Sequence, residues 1–326
     1  MFYLGIDVSK AKFDCCLFLD DSSGKIKTKC FSNSNKGFHQ LLSWLNRFGL
    51  VAEETRALME ATSVYHEMLA QFLFDLKFQV CVANPARTRY FAQSISKLNK
   101  TDKIDSEVLA RFAMTVDLHL WQPTPDNIRL LNALLDRRSS LANDLKREQN
   151  RLEKANSTLI VVPILKSIKT NIKSLTRQIQ NLDTQIQNHI DQDHELKRDQ
   201  KLLESIPAIA ERTSLLMLVF LRAHSFEKAS QAAAFVGLVP IHRQSGSSVL
   251  GKSRLSKAGS PKIRSGLYMA AIVATRYNPH IKELSERLLA KGKTKMVAIA
   301  AAMRKLIHLC YGVLKNQQPY QANYKA

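Results

Sequence analysis

Residues 2–8, Phe-Tyr-Leu-Gly-Ile-Asp-Val, decide how the chain folds: an apolar run, broken by one glycine, that carries a carboxylate almost at its end. A run of this length and composition reads as a buried strand, so Asp7 stands where the strand leaves the core. A second apolar run closes in the same way, with Ala57-Leu58-Met59 followed by Glu60. Further on, Asn-Lys-Thr-Asp-Lys-Ile-Asp at 99–105 sets Asp102 and Asp105 three apart, on one face of a helix. Three distant segments thus offer a single acidic cluster. Hard divalent cations need several oxygen ligands, and phosphoryl chemistry uses a pair of such ions ~3.5–4 Å apart. Asp7, Glu60, Asp102 and Asp105 are therefore candidate metal ligands and catalytic residues.

Around this cluster, residues 13–20 and 26–32 read as two more strands, with a turn supplied by Asp20-Asp21-Ser22-Ser23-Gly24. The segment 36–48 reads as a helix with Phe38, Leu41, Leu42 and Leu45 on one face. Strands follow at 55–60 and 78–83, separated by a helix over 65–76. Asn84-Pro85 ends the last strand, and Thr101 precedes the helix of Asp105, Val108, Leu109 and Phe112. Three strands followed by alternating helix and strand is the order of a ribonuclease H-like domain. The stretch Trp121-Gln122-Pro123-Thr124-Pro125 reads as its exit. The expected fold class is α/β plus all-α, with an α/β domain over 1–122, a helical connector over 123–199 and a mainly helical region over 200–326.

The connector has few aromatics and a heptad-like pattern. Leu131, Leu134, Leu135, Leu141, Leu145 and Leu152 precede Pro163, and Ile168, Ile172, Leu175, Ile179, Leu182 and Ile186 follow it. The second set steps alternately by four and three, the mark of a coiled-coil seam, and Pro163 suggests a turn between two antiparallel helices. The seam closes either within one chain or between two. Beyond residue 200, Leu202-Leu203-Glu204-Ser205-Ile206-Pro207-Ala208-Ile209-Ala210 and an apolar helix over 213–221 resemble a helix-hairpin-helix, with Ala208 and Ala210 in place of the usual glycines. A helix over 229–236 ends at Gly237. Pro240 then opens a loop rich in serine and glycine, Arg243-Gln244-Ser245-Gly246-Ser247-Ser248, and two helices near 262–276 and 294–315 finish the chain.

Charge points to a polyanion. The 326 residues hold 48 basic and 28 acidic side chains, a net +20, and residues 200–326 carry 20 basic against 5 acidic. Between Glu227 and Glu283 no acidic residue occurs, whereas Arg243, Lys252, Arg254, Lys257, Lys262 and Arg264 all fall in that window. A solvated surface normally mixes signs, so these six are candidate nucleic-acid contacts. No strongly amphipathic basic helix with exposed aromatics favours membrane lipid as the anion. The first strand begins at Phe2, which leaves no room for a signal peptide, and no apolar stretch approaches the ~20 residues of a membrane span; a cytoplasmic protein is expected. Five cysteines lack metal-ligand spacing, and four lie in apolar runs where a reduced thiol packs as a small hydrophobe.

Several of these stretches together resemble one known family. Gly5-Ile6-Asp7-Val8-Ser9-Lys10, Glu60-Ala61-Thr62, Asn84-Pro85, Asn99-Lys100-Thr101-Asp102-Lys103-Ile104-Asp105, Gly237-Leu238-Val239-Pro240, Ser245-Gly246-Ser247-Ser248 and Leu255-Ser256-Lys257-Ala258-Gly259 are similar, in order and over nearly the full length, to the DEDD transposases of the insertion-sequence one-ten family. The resemblance implies a RuvC-like N-terminal domain, a coiled-coil connector and a C-terminal transposase domain whose serine nucleophile maps to Ser245. It implies further a structured noncoding bridge RNA that pairs with donor and target DNA, and a homodimer or homotetramer in which one protomer's acidic site works with another's serine. The cofactor expected is Mg²⁺ or Mn²⁺, without ATP, because a covalent phosphoserine link conserves the phosphodiester energy. The departures are Ala208 and Ala210 for hairpin glycines and Ser106 where alanine is common. Two alternatives stay open: a RuvC-like nuclease that uses water, and a non-enzymatic coiled-coil nucleic-acid-binding protein. Gly-Ile-Asp also opens actin-like ATPases, but those expect a second glycine-rich phosphate loop, and none is found among the 11 glycines.

Overall fold

Five strands, Phe2–Val8 (β1), Lys12–Phe18 (β2), Ile26–Ser32 (β3), Thr55–Glu60 (β4) and Gln79–Ala83 (β5), form one sheet in the order β3-β2-β1-β4-β5. β1, β2 and β3 are antiparallel neighbours, whereas β1, β4 and β5 run parallel and are linked by helices, as parallel crossovers require. The computed structural model describes residues 1–19, 25–61, 63–97, 99, 101–158, 162–245 and 249–322, and the side chains of 242–253 fall outside that description. The expected turn over 20–24 lies outside the described residues as well.

Alternation along the strands sorts side chains onto two faces. Leu4, Ile6 and Val8 of β1, Phe13, Cys15 and Leu17 of β2, and Ala57 and Met59 of β4 pack in one core with the helices Asn35–Asn46 (α1) and Glu67–Asp75 (α2). The opposite face is covered by helix Asp102–Thr115 (α4), whose Leu109, Phe112 and Ala113 pack with Leu58 and Cys81. Between β5 and α4 lies a helix the sequence pattern does not show, Pro85–Ser94 (α3). Asn84 accepts a hydrogen bond from the Ala86 amide at 2.8 Å, and Pro85 takes the first helical position, so the pair that reads as a strand stop also starts a helix. Thr88 is the one buried residue of α3, hence no apolar period announces it.

The close fit of α4 to the sheet depends on Gly5. A Cβ there would stand 2.1 Å from the Ser106 carbonyl oxygen and 2.3 Å from the Ala110 amide nitrogen. Backbone rests on backbone, which also explains why positions 106 and 110 hold small buried side chains. Ser106 turns its hydroxyl to the Lys103 carbonyl at 3.0 Å and adds no bulk at the contact.

The chain divides into two compact units, Met1–Pro123 and Thr124–Ala326. The second unit begins with two long helices, Asp126–Asn156 (α5) and Val162–Gln192 (α6), with Pro163 in the first turn of α6. They run antiparallel: Asn127 donates to Asp193 at 2.7 Å near one end, and Arg138 Nη2 reaches Asp183 at 3.2 Å farther along. Helices His194–Glu204 (α7), Glu211–Arg222 (α8), Ala229–Phe235 (α9), Pro261–Tyr277 (α10), Pro279–Ala290 (α11) and Lys295–Asn316 (α12) build the remaining core around Leu203, Leu218, Leu267, Ala271 and Leu306. The sequence pattern divides the end of the chain into two helices; Asn278, which caps α11 through the Ile281 amide at 3.3 Å, makes them three.

The segment expected as a Ser/Gly loop is an antiparallel pair, Pro240–Ser245 (β6) and Val249–Leu255 (β7). Polar and basic residues fill much of both strands, so no apolar alternation marks them in the sequence. One further correction concerns α12, which is long and apolar enough by length and composition to cross a membrane. Ala298, Ala302, Met303, Leu306, Ile307, Cys310, Val313 and Leu314 are buried, and all but Ala298 lie in the core of the second unit, so helix packing accounts for part of the apolarity. Cys15, Cys16, Cys81 and Cys310 are buried free thiols, and Cys30 is exposed.

Two substitutions test this packing. Gly5→Ala should lower stability by about 3 kcal/mol in a denaturant titration, because neither backbone can withdraw without lifting α4. Gly312→Ala in α12, with nothing within 4 Å of the new methyl, should be neutral or stabilising. In the turn between α7 and α8, Ala208 holds φ at +81°, a conformation suited to glycine. Ala208→Gly should therefore raise stability by about 0.5–1 kcal/mol, the strain relieved less the entropy glycine adds to the unfolded chain.

Candidate active site

Asp7, Asp14 and Glu60 lie on the α4 face of the sheet because each is two residues from a position already there. Gly5 and Cys16 face α4 directly, and Leu58 packs with its Leu109 and Phe112. The antiparallel register sets Asp7 directly opposite Asp14, while Glu60 comes one residue after the last β1–β4 pair, Ile6 with Met59. Helix α4 starts over the same edge. Thr101 caps it by accepting from the Ile104 amide at 3.3 Å, which places Asp102 and Asp105 in the first turn, where the helix dipole favours carboxylates. Asn33 ties the loops of this edge together, its amide donating to the carbonyls of Ser9 at 2.9 Å and Tyr65 at 3.1 Å.

Electrostatics records the crowding. Burial, and then the charges of Asp105, Asp102, Glu60 and Asp14, push the Asp7 carboxyl up to about 6. The structure thus brings all four sequence candidates to one place and adds Asp14. It adds a cation too: Lys12 Nζ lies 2.7 Å from Asp102 Oδ2 and 3.1 Å from Asp14 Oδ2. The hydrogen bond from Lys12 holds the Asp102 carboxyl below the usual carboxylate range. Among the described residues, no group of three or more His, Cys, Asp or Glu side chains is arranged as it stands to hold a metal ion. In chemistry the donor set nevertheless fits a hard divalent cation, being all carboxylate oxygen with surplus negative charge around a half-buried member.

The second candidate element is the β6–β7 hairpin. Ser245 is the last residue of β6 and pairs with Val249. Ser247 and Ser248, and the side chains of Arg243, Ser245 and Lys252, lie outside the described residues. The base of the hairpin is clasped by backbone: Ser256 N donates to the Val239 carbonyl at 2.9 Å, and Lys257 N to Gly237 at 3.1 Å. Gly237 at φ +78° and Gly259 at φ +121° sit so near neighbouring backbone that a Cβ would fall 2.5 Å from the Ala258 oxygen and 1.9 Å from the Phe235 oxygen, respectively.

Known proteins match stretches of both units. A family model described as Transposase, for the DEDD type of IS110, matches residues 4–159, and one described as Transposase IS116/IS110/IS902 family matches residues 200–286. A pilin gene-inverting protein of Moraxella bovis is 33% identical over 321 residues, covering 98% of this chain and 97% of its own length. The chain belongs to the IS110 transposase family. The pilin gene-inverting protein of Moraxella lacunata is likewise 33% identical over 321 residues. An insertion element IS110 protein of Streptomyces coelicolor is 26% identical over 126 residues, 38% of this chain and 31% of its own length. Membership makes the chain a DNA-cleaving enzyme of the transposase and recombinase class, in which DEDD chemistry is typically metal-dependent.

Within this IS110 transposase the basic candidates differ in surroundings. Arg254 and Lys257 are exposed at the foot of the hairpin. Lys262 pairs with Asp136 of α5. Arg264 donates to the carbonyls of Val236 at 2.8 Å and Gly259 at 3.0 Å, so its guanidinium braces the clasp. The residues that sequence reading missed are Lys12 and Asp14. Their one signal was a charged side chain inside the apolar run Phe13-Asp14-Cys15-Cys16-Leu17, opposite a strand that itself ends in Asp7.

The raised Asp7 carboxyl gives a pH prediction for the metal-free protein. The unfolded chain loses this proton near 3.8 and the folded chain at about 6, so ionisation costs stability as pH rises between them. In a chelating buffer at pH 7, Asp7→Asn should be more stable than the unsubstituted chain by on the order of 2 kcal/mol, with the gap closing toward pH 4. Equal melting curves at both pH values would show that Asp7 carries no such burden.

Proposed function

We propose that this transposase cuts, exchanges and religates DNA strands through a covalent phosphoserine intermediate. The observation that carries the reading is the convergence of carboxylates around Asp7 on one sheet edge, in a chain whose second unit presents Ser245 on a braced hairpin. Asp7, Glu60, Asp102 and Asp105 would hold Mg²⁺ or Mn²⁺, with catalysis assigned to them and to Ser245. The ion supplies charge neutralisation at the scissile phosphate and lowers the cost of forming an oxyanion. The Ser245 hydroxyl forms a bond to phosphorus while one deoxyribose oxygen leaves and takes up a proton. Religation reverses the step with the hydroxyl of another strand, and the number of phosphodiester-level bonds is conserved, so no ATP is needed.

The five-stranded sheet with α4 on one face supports a RuvC-like reading of residues 1–122. The antiparallel α5–α6 pair supports a coiled-coil connector over 123–199, followed by a transposase domain over 200–326. Arg243, Lys252, Arg254, Lys257, Lys262 and Arg264 are proposed to track nucleic-acid phosphate from the acid-free window. Guidance by a structured noncoding RNA, and assembly as a homodimer or homotetramer that joins one protomer's carboxylates to another's serine, follow from the family resemblance. Recombination is favoured over hydrolysis by water because the Moraxella relatives are named for inverting a gene, which demands religation.

Trapping distinguishes the readings. With labelled cognate DNA and the adjacent noncoding RNA, the unsubstituted protein should remain attached to DNA after denaturation. Ser245→Ala should lose this species, Ser247→Ala and Ser248→Ala should keep it, and Glu60→Gln should lower recombination by about 10–100-fold, at least the loss seen when an outer partner of a metal site is removed. Cleavage without any adduct would leave the water-using nuclease, and unchanged recombination without RNA would remove the guide.

A further inference from the structure

Lys12 is bound up with the acidic edge in a way that none of the catalytic assignments uses. It is the first residue of β2, anchored at its backbone by Ser9: the Ser9 hydroxyl donates to the Lys12 carbonyl at 2.7 Å and accepts from the Lys12 amide at 3.4 Å. From there its side chain spans to the first turn of α4, ninety positions along the chain, and places one ammonium against two carboxylates, Asp102 and Asp14. Both belong to the group whose charge raises the Asp7 carboxyl, so Lys12 neutralises part of the surplus that makes the edge attractive to a divalent cation.

We propose that Lys12 is a tethered counter-ion of the cluster, which holds Asp102 and Asp14 in the metal-free protein and has to release Asp102 before a divalent cation can use it. This rests on the reading of the cluster as a metal site. Two features support it. The ammonium lies 2.7 Å from Asp102 Oδ2, on a carboxylate that would help to hold the metal, so the two cations would compete for one side chain. The pair is reversible, because both side chains are about half exposed, at 47% for Lys12 and 58% for Asp102, and exposed ion pairs are weak. Lys12 thereby sets the cation concentration at which the site loads and keeps the acidic edge from flying apart below it.

The sign of the effect separates this role from simple support of the fold. A lysine that only braces the site weakens metal binding when removed; a competing counter-ion strengthens it. The test is a titration of the full-length protein with Mn²⁺ alone, without nucleic acid, at one low ionic strength, reading free Mn²⁺ by electron paramagnetic resonance. Lys12→Gln should bind Mn²⁺ roughly threefold to tenfold more tightly than the unsubstituted chain, the scale of one or two exposed ion pairs. Lys12→Ala should show the same direction, which guards against a failure of one variant to fold, and Lys12→Arg, which keeps the charge, should stay within about twofold. Equal or weaker binding by Lys12→Gln and Lys12→Ala, or tightening by Lys12→Arg as well, overturns the proposal while leaving the metal site standing. If the unsubstituted chain shows no saturable binding that Asp7→Asn removes, the metal-site reading itself fails and the role of Lys12 falls with it.

Discussion

At Gly5 the backbone of α4 rests on the backbone of β1 with no side chain between them, and the geometry of the acidic edge follows from that contact. A helix held off the sheet by an ordinary side chain would carry Asp102 and Asp105 away from the strand ends. Here the contact falls at Ser106 and Ala110, so the first turn of α4 projects just past it, over the level of Asp7 and Glu60. The glycine is thus set two residues before the first carboxylate for a steric reason, and the three-residue spacing of the helical pair for a periodic one. The two rules act on the same face.

Gathering five carboxylates costs stability. Burial and then like charges raise Asp7 and oppose the compact state, which is the usual expense of a site prepared for a cation. Compensation is distributed over backbone and side chain: the α4 dipole and the Lys12 ammonium each favour the ionised form of a neighbour. Neither of these is strong alone, and both act at the rim, where water and ions can replace them.

Much of the first unit is legible from hydrophobic pattern. The strands over 2–8, 26–32, 55–60 and 78–83 fall within a residue of those observed, and the Asp102–Asp105 helix begins where Thr101 announces it. The segment 65–76 starts later as a helix, at Glu67, after Ser63 has turned the chain with φ at +52°. What pattern does not convey is register. That Asp14 faces Asp7 depends on the length of the Ser9–Lys12 turn, a quantity which strand propensity does not contain. Helix α3 escaped because it buries a single threonine, and the β6–β7 pair because polar and basic residues leave it without an apolar alternation. For the candidate nucleophile the residues alone show a serine beside basic side chains; choosing Ser245 among its neighbours required the family motif.

The clasp at the foot of the β6–β7 hairpin distributes mutational tolerance unevenly along it. Gly237 and Gly259 have no room for a methyl group, and the hydrogen bonds of Ser256 and Lys257 run through backbone atoms that side-chain changes do not reach. Direction is therefore set at the foot by main-chain geometry. Toward the far end, pairing rests on a two-stranded ladder in which most residue types can substitute. Selection can then vary the outer residues, and with them the chemistry presented there, without re-aiming the element that carries them.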